Sequence, residues 1–159
     1  MATPPAEDRS PGVVVFPPVL FASTLAVGAL LQWVLPLRFW DARWPRWVVG
    51  AALLGGGLSV ALWGEKTMQR AGTEVRPDRP STALVDGGPF RFSRNPLYVA
   101  VTTMFLGVAF LANAAWFLLL LVPMVAVLHF GVVRREERYL EGKFGEPYRA
   151  YRSRVRRYF

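Results

Sequence analysis

Between two long apolar regions of this 159-residue chain lie twelve residues of another kind, Gly87-Gly-Pro-Phe-Arg-Phe-Ser-Arg-Asn-Pro-Leu-Tyr98. Arg91 and Arg94 alternate there with Phe90 and Phe92, between the turn signals Gly87-Gly88-Pro89 and Asn95-Pro96. A helical apolar pattern begins at Leu97. Pro96 suits its first turn, where a missing N–H costs nothing, and Asn95 occupies the N-cap place. The positive end of a helix dipole beside two arginines suits an anionic group. The plainer reading of Arg91 and Arg94 is anchorage at the water boundary, and of Tyr98 an interfacial anchor.

A second set lies some forty residues on. Glu136 and Glu137 follow an apolar run and are flanked by Arg134, Arg135 and Arg138. A solvated, self-paired helix is one reading. The other is a carboxylate that receives a cationic or hydroxyl-bearing ligand. Neighbours on a helix point about 100° apart, so one of the two glutamates faces a pocket. His129 is the only histidine and is either a packed, hydrogen-bonded side chain or a base, since ionisable groups within a bilayer are functional candidates. One histidine and no cysteine argue against a transition-metal site and exclude disulfides and a thiolate nucleophile. No Walker loop, G-x-S-x-G or G-x-G-x-x-G occurs.

The elements that must position these residues are membrane helices. The chain is 53% hydrophobic, and its apolar residues come in blocks. Residues 1–12 read as a disordered tail and 13–159 as one membrane domain, all-α, with spans near 13–35, 47–64, 97–111 and 114–133 and a C-terminal amphipathic surface helix. Pro17-Pro18 sits in the first turns of the first span, and the second is expected to continue into water through Glu65 to Ala71. Ala51/Gly55 and Ala52/Gly56 are small-xxx-small pairs and predict the packing face of the second span. Asn113 breaks the apolar stretch Leu97–Val133 into a hairpin. Residues 72–96, polar and rich in proline and arginine, form a long connection of the kind that carries function.

The formal net charge is +8, and the basic residues flank the apolar spans. Anionic headgroups, not nucleic acid, are therefore the expected partner. With four spans the N-terminus, the second connection and the C-terminal segment share a side. That side holds 16 of the Lys and Arg residues against 3 on the other, which predicts that it is cytoplasmic and that the two functional segments can meet.

Thr82 to Tyr98, with Arg94-Asn-Pro-Leu-Tyr98 at its end, then Glu136-Glu137, then Phe144-Gly-Glu-Pro-Tyr-Arg-Ala-Tyr151, resembles the signature of the isoprenylcysteine carboxyl methyltransferase family and its phospholipid methyltransferase relatives. In that family Arg-His-Pro-x-Tyr opens a membrane helix, and a Glu-Glu pair and Phe-Gly-x-x-Tyr-x-x-Tyr follow the next one. The resemblance implies an S-adenosylmethionine-dependent membrane methyltransferase. It also implies a cofactor pocket lined by Thr82, Ala83, Leu84, Val85, Phe90, Arg94, Asn95, Pro96, Leu97, Tyr98 and one of Glu136 and Glu137, with Glu136 preferred. Arg134 and Arg135 lie near the place of the arginine that the prenylcysteine enzymes use for the acceptor's carboxylate. The motif's histidine is Asn95 here, which can hydrogen-bond but cannot titrate.

The residue chemistry agrees with that family. Arginines and a helix start suit the cofactor's carboxylate, a glutamate its ammonium or ribose, and aromatic rings its adenine. The acceptor is lipophilic or small: a prenylated cysteine carboxylate, a lipid amine or a thiol, reached from the bilayer. No metal is expected. Two rivals remain, a non-catalytic scaffold of the same fold and a sterol-reductase-like enzyme using NADPH.

Overall fold

A computed structural model describes residues 12–73 and 81–158, all of it helix and connection, with no strand among the described residues. The elements are α1 Pro17–Val34, α2 Arg43–Arg70, a 3₁₀ turn Gly88–Arg91, α3 Pro96–Ala112, α4 Ala115–Leu128, a π turn His129–Val133, α5 Arg134–Phe144 and α6 Glu146–Arg154. The proposed tail before Gly12 lies outside the described residues. Among the described residues, α1, α2 and the continuous rod Ala115–Phe144 are long and apolar enough to cross a membrane, and α3 is a shorter apolar helix. The apolar part of that rod ends near Val133. From Arg134 on it is charged.

Two proline residues open α1, and Pro96 opens α3, as their missing N–H groups allow. Asn113 ends α3 in the left-handed region, at φ 51° and ψ 48°, a conformation that asparagine tolerates. Its Oδ1 accepts hydrogen bonds from the Phe39 and Trp40 N–H groups, which ties the first connection to the hairpin tip.

Close packing runs along α2 and α3, the most extensively paired helices. Here the expected face is corrected. Ala51, Ala52, Gly55 and Gly56 are exposed, and the contact is made by Gly50, Gly57 and Gly64, spaced by seven. A Cβ on Gly57 would stand 2.7 Å from the Ala100 carbonyl oxygen, and one on Gly107 of α3 2.8 Å from the Leu54 nitrogen. Small residues line both stripes, but Gly50, Gly57 and Gly64 lie on the side of α2 that meets α3, and a seven-residue stripe drifts only about 20° per heptad, while Gly55 and Gly56 face open space.

The remaining core joins α1, α3 and the α4 rod through Phe21, Phe105, Phe117, Met124, Leu128, Val132 and Val133. Phe105 and Phe117 meet edge to face, with centroids 5.6 Å apart. Outward, Trp33, Val122 and Phe130 are exposed, as lipid-facing side chains are. Between α4 and α5 the π turn inserts an extra residue into the helix, and the Gly131 carbonyl accepts a hydrogen bond from the Val14 N–H.

The C-terminal amphipathic stretch is divided at Gly145, which has φ 58°. Its apolar side turns to the protein: Tyr148 and Tyr151 of α6 are buried. Residues 155–158 then return along Ser93, Arg94 and Asn95.

Candidate cofactor site

The two functional segments do meet. A pocket opens where the end of α2, residues 81–85, Phe90, the turn before α3, α5 and α6 come together. Of the residues expected to line it, Ala83, Leu84, Val85, Phe90, Arg94 and Asn95 do so, and both Glu136 and Glu137 line it where helix geometry predicts one. Thr82 is turned away, with its Oγ1 donating to the Gly72 carbonyl at 2.7 Å. Leu97 faces Gly64 of α2, and Pro96 is buried in the first turn of α3. Tyr98 does not line the pocket, but its hydroxyl donates to Glu136 Oε1 at 2.6 Å.

The paired glutamates have different surroundings. Glu137 is buried and faces two arginines. Arg157 Nη2 stands 2.7 Å from its Oε2, and Arg94 Nη2 stands 2.8 Å from its Oε1. Burial opposes ionisation of Glu137, yet the hydrogen bonds from Arg157 and Arg94 overcome that cost and hold its carboxyl below the ordinary range. Glu136 is half-buried, and among the described residues it makes no ion pair. Withdrawal from water pushes its carboxyl up to about 7. The Tyr98 hydrogen bond works against that rise, and the Glu137 charge adds to it.

Arg94 is committed. Its Nε and Nη2 serve Glu137, and its Nη1 donates to the Arg152 and Val155 carbonyls, each at 3.1 Å. Asn95 starts α3 but makes no side-chain cap. Its Nδ2 donates instead to the Arg157 carbonyl at 3.1 Å. Arg91 is exposed. Arg134 lies over the Phe130 ring, Arg135 donates to the Gly12 carbonyl, and neither lines the pocket. His129 Nδ1 is 2.7 Å from the Tyr158 hydroxyl, away from the pocket lining.

Several lining residues were missed from sequence: Met68, Thr73, Ser81, Leu140, Tyr148 and Tyr151. The spacing Tyr148-x-x-Tyr151 stood in the recognised motif and was a usable signal. Tyr151 donates to the Phe90 carbonyl at 2.7 Å, pinning α6 to the 3₁₀ turn. Tyr148 Oη is buried without a hydrogen-bond partner. Burial pushes its hydroxyl up to about 12, so it remains a donor. A buried donor without a partner fits a ligand that supplies an acceptor.

Among the described residues no group of His, Asp and Glu side chains is arranged to hold a metal ion. The pocket presents a half-buried carboxylate, a tyrosine donor, and apolar and aromatic walls.

A family model, phospholipid methyltransferase, matches residues 45–147. Comparison with curated proteins and with solved structures gives no match. The matched region holds α2, α3, α4, α5 and most of the pocket, and ends at the start of α6.

Proposed function

We propose that this chain, which belongs to the phospholipid methyltransferase family and is a membrane protein with the methyltransferase activity that membership implies, uses S-adenosylmethionine bound in the pocket between α2, α5 and α6. The observation that carries this reading is Glu136, a pocket carboxylate that no described arginine claims, beside the unpartnered donor of Tyr148.

The cofactor, when bound, supplies a methyl group activated by a sulfonium. The residues' part is binding and exclusion of water. Glu136, steadied by Tyr98, receives the ammonium or the ribose hydroxyls, and Tyr148 donates to an oxygen. Met68, Phe90, Leu140 and Tyr151 offer apolar and aromatic surface to the adenine. Ala83, Leu84 and Val85 close the remaining wall. Such a site accelerates transfer by alignment and desolvation. The acceptor is lipophilic or small, with a phospholipid amine favoured by the family match, and it enters from the bilayer. The 16-to-3 split of Lys and Arg supports a pocket that faces the cytoplasm.

Titration of the purified protein in detergent with S-adenosylmethionine and, separately, with NADPH tests this. Saturable binding of the first alone, with transfer of its labelled methyl to a phospholipid extract, is expected. Binding of NADPH alone would establish the reductase reading. Cofactor binding without transfer to any lipid or thiol would favour a scaffold.

A further inference from the structure

The chain's last residues lie beyond the matched region, yet they reach the site. Residues 155–158 form a strap held by the turn before α3. The Arg94 N–H donates to the Arg156 carbonyl at 2.9 Å, and Ser93 Oγ and Asn95 Nδ2 both donate to the Arg157 carbonyl at 3.1 Å. Tyr158 meets His129 at the far end. The strap thereby places the Arg157 guanidinium on Glu137, with Nε 3.0 Å from Oε1 and Nη2 2.7 Å from Oε2.

We propose that Arg157 is a positioning residue for the cofactor. By engaging both oxygens of Glu137 it makes that carboxylate structural and leaves its neighbour Glu136 as the one that ionises toward the ligand's cation. This rests on the reading that the pocket binds S-adenosylmethionine. Glu137 with Arg94 alone is neutral, and with Arg157 added the cluster is positive by one. A positive cluster beside Glu136 favours its ionised form, whereas a neutral one leaves only the Tyr98 hydrogen bond to oppose desolvation. The groups that bear on Glu136 are Tyr98 from α3, Glu137 on its own helix, and Arg94 and Arg157 through Glu137. The Arg157 side chain is 34% exposed and that of Glu137 9%, so the pair reaches from water into the site. Because the strap's carbonyls are held by Ser93, Arg94 and Asn95, the side chain of Asn95 serves this placement.

The test uses the full-length protein with glutamate carboxyls labelled by ¹³C, the Glu136 signal being assigned by its loss in Glu136→Gln. In Arg157→Gln, with ligand absent, the Glu136 carboxyl is expected to titrate at clearly higher pH than in the wild type. S-adenosylmethionine binding at pH 7 should weaken about 3- to 10-fold and recover toward pH 9, because a midpoint moved upward depletes the ionised form by such factors near neutrality. Arg157→Lys should restore most of both. Arg154→Gln, at an exposed arginine 3.8 Å from Asp86, should change neither. A merely structural Arg157 would lower thermal stability and leave the Glu136 midpoint in place, which overturns the proposal. Should Arg157→Gln not fold, Arg157→Met, which keeps the stem and removes the charge, decides: an upward shift of the Glu136 midpoint supports the proposal, and an unmoved midpoint overturns it. If the wild type binds no S-adenosylmethionine while the ligand-free shift is present, the cofactor reading falls and the division of roles between the glutamates stands.

Discussion

The Tyr98 hydroxyl, one turn into α3, donates to Glu136 Oε1 on α5 at 2.6 Å, thirty-eight residues away in sequence. It steadies one oxygen of a carboxylate that no described cation touches, while the adjacent Glu137 is gripped by two arginines. The two glutamates should therefore fail differently when neutralised.

Glu136→Gln is expected to weaken S-adenosylmethionine binding by about 1.5–3 kcal/mol, the usual loss for a charged hydrogen bond, and to leave the fold intact. Glu137→Gln leaves buried Arg94 without its counter-charge and should lower stability, on the order of 3 kcal/mol given that Arg157 is partly solvated. Calorimetry with ligand and thermal melting without it separate the two. Equal loss of affinity in both folded variants would refute the division.

The Glu136 carboxyl, raised from its ordinary 4.5 to about 7, fixes two opposite pH trends. The folded state holds its proton more tightly than the unfolded chain. Its contribution to stability is thus complete below about 4.5 and is lost as pH rises to about 7, a change on the order of 1–3 kcal/mol. Glu137, shifted down, contributes the other way: its share is present above its ordinary value and is lost in acid. Cofactor binding needs Glu136 ionised and should strengthen through pH 7. Melting curves from about pH 3 to 9 and ligand titrations from pH 5 to 9 check this, and Glu136→Gln should flatten the two Glu136 trends.

Asn95→Ala removes the Nδ2 bond to the Arg157 carbonyl, worth about 1 kcal/mol. The expected readout is faster hydrogen exchange at the Arg94 N–H, which donates to the Arg156 carbonyl of the strap, with methyl transfer reduced but not abolished. Asn95→His, whose ring N–H donates likewise, should restore protection without adding a step near pH 6.5. Exchange unaltered by Asn95→Ala would remove the strap role.

At the α2–α3 contact Gly107→Ala sets a methyl 2.8 Å from the Leu54 backbone nitrogen and should cost about 1–3 kcal/mol. Gly55→Ala and Gly56→Ala meet open space and should be neutral, or stabilise by up to about 1 kcal/mol through helix propensity. Thermal melting of the three variants in one detergent is sufficient.

Cysteine labels at Ser81 and Ser153 should react from the cytoplasmic side and one at Asp41, exposed in the first connection, from the other. Opposite accessibility of Ser81 and Ser153 would be incompatible with both segments lining one pocket.

Periodicity and composition alone sufficed for the helices, because a bilayer demands long apolar segments whose backbone bonds close internally. Proline at the starts of α1 and α3 and the left-handed Asn113 marked the boundaries locally, and the Thr82–Tyr98 and Glu136-Glu137 motifs held eight of the fourteen residues that line the pocket. What a single chain position cannot express is the partner it will meet. Glycines 50, 57 and 64 and glycines 55 and 56 are equally small, and only the placement of α3 chose between them. Glu136 and Glu137 are the same residue type side by side, and their roles parted because the returning strap brought Arg157 to one and α3 brought Tyr98 to the other. Asn95 read as a cap because capping is a local property, and it became a tether because a carbonyl sixty-two residues away came within reach of its amide.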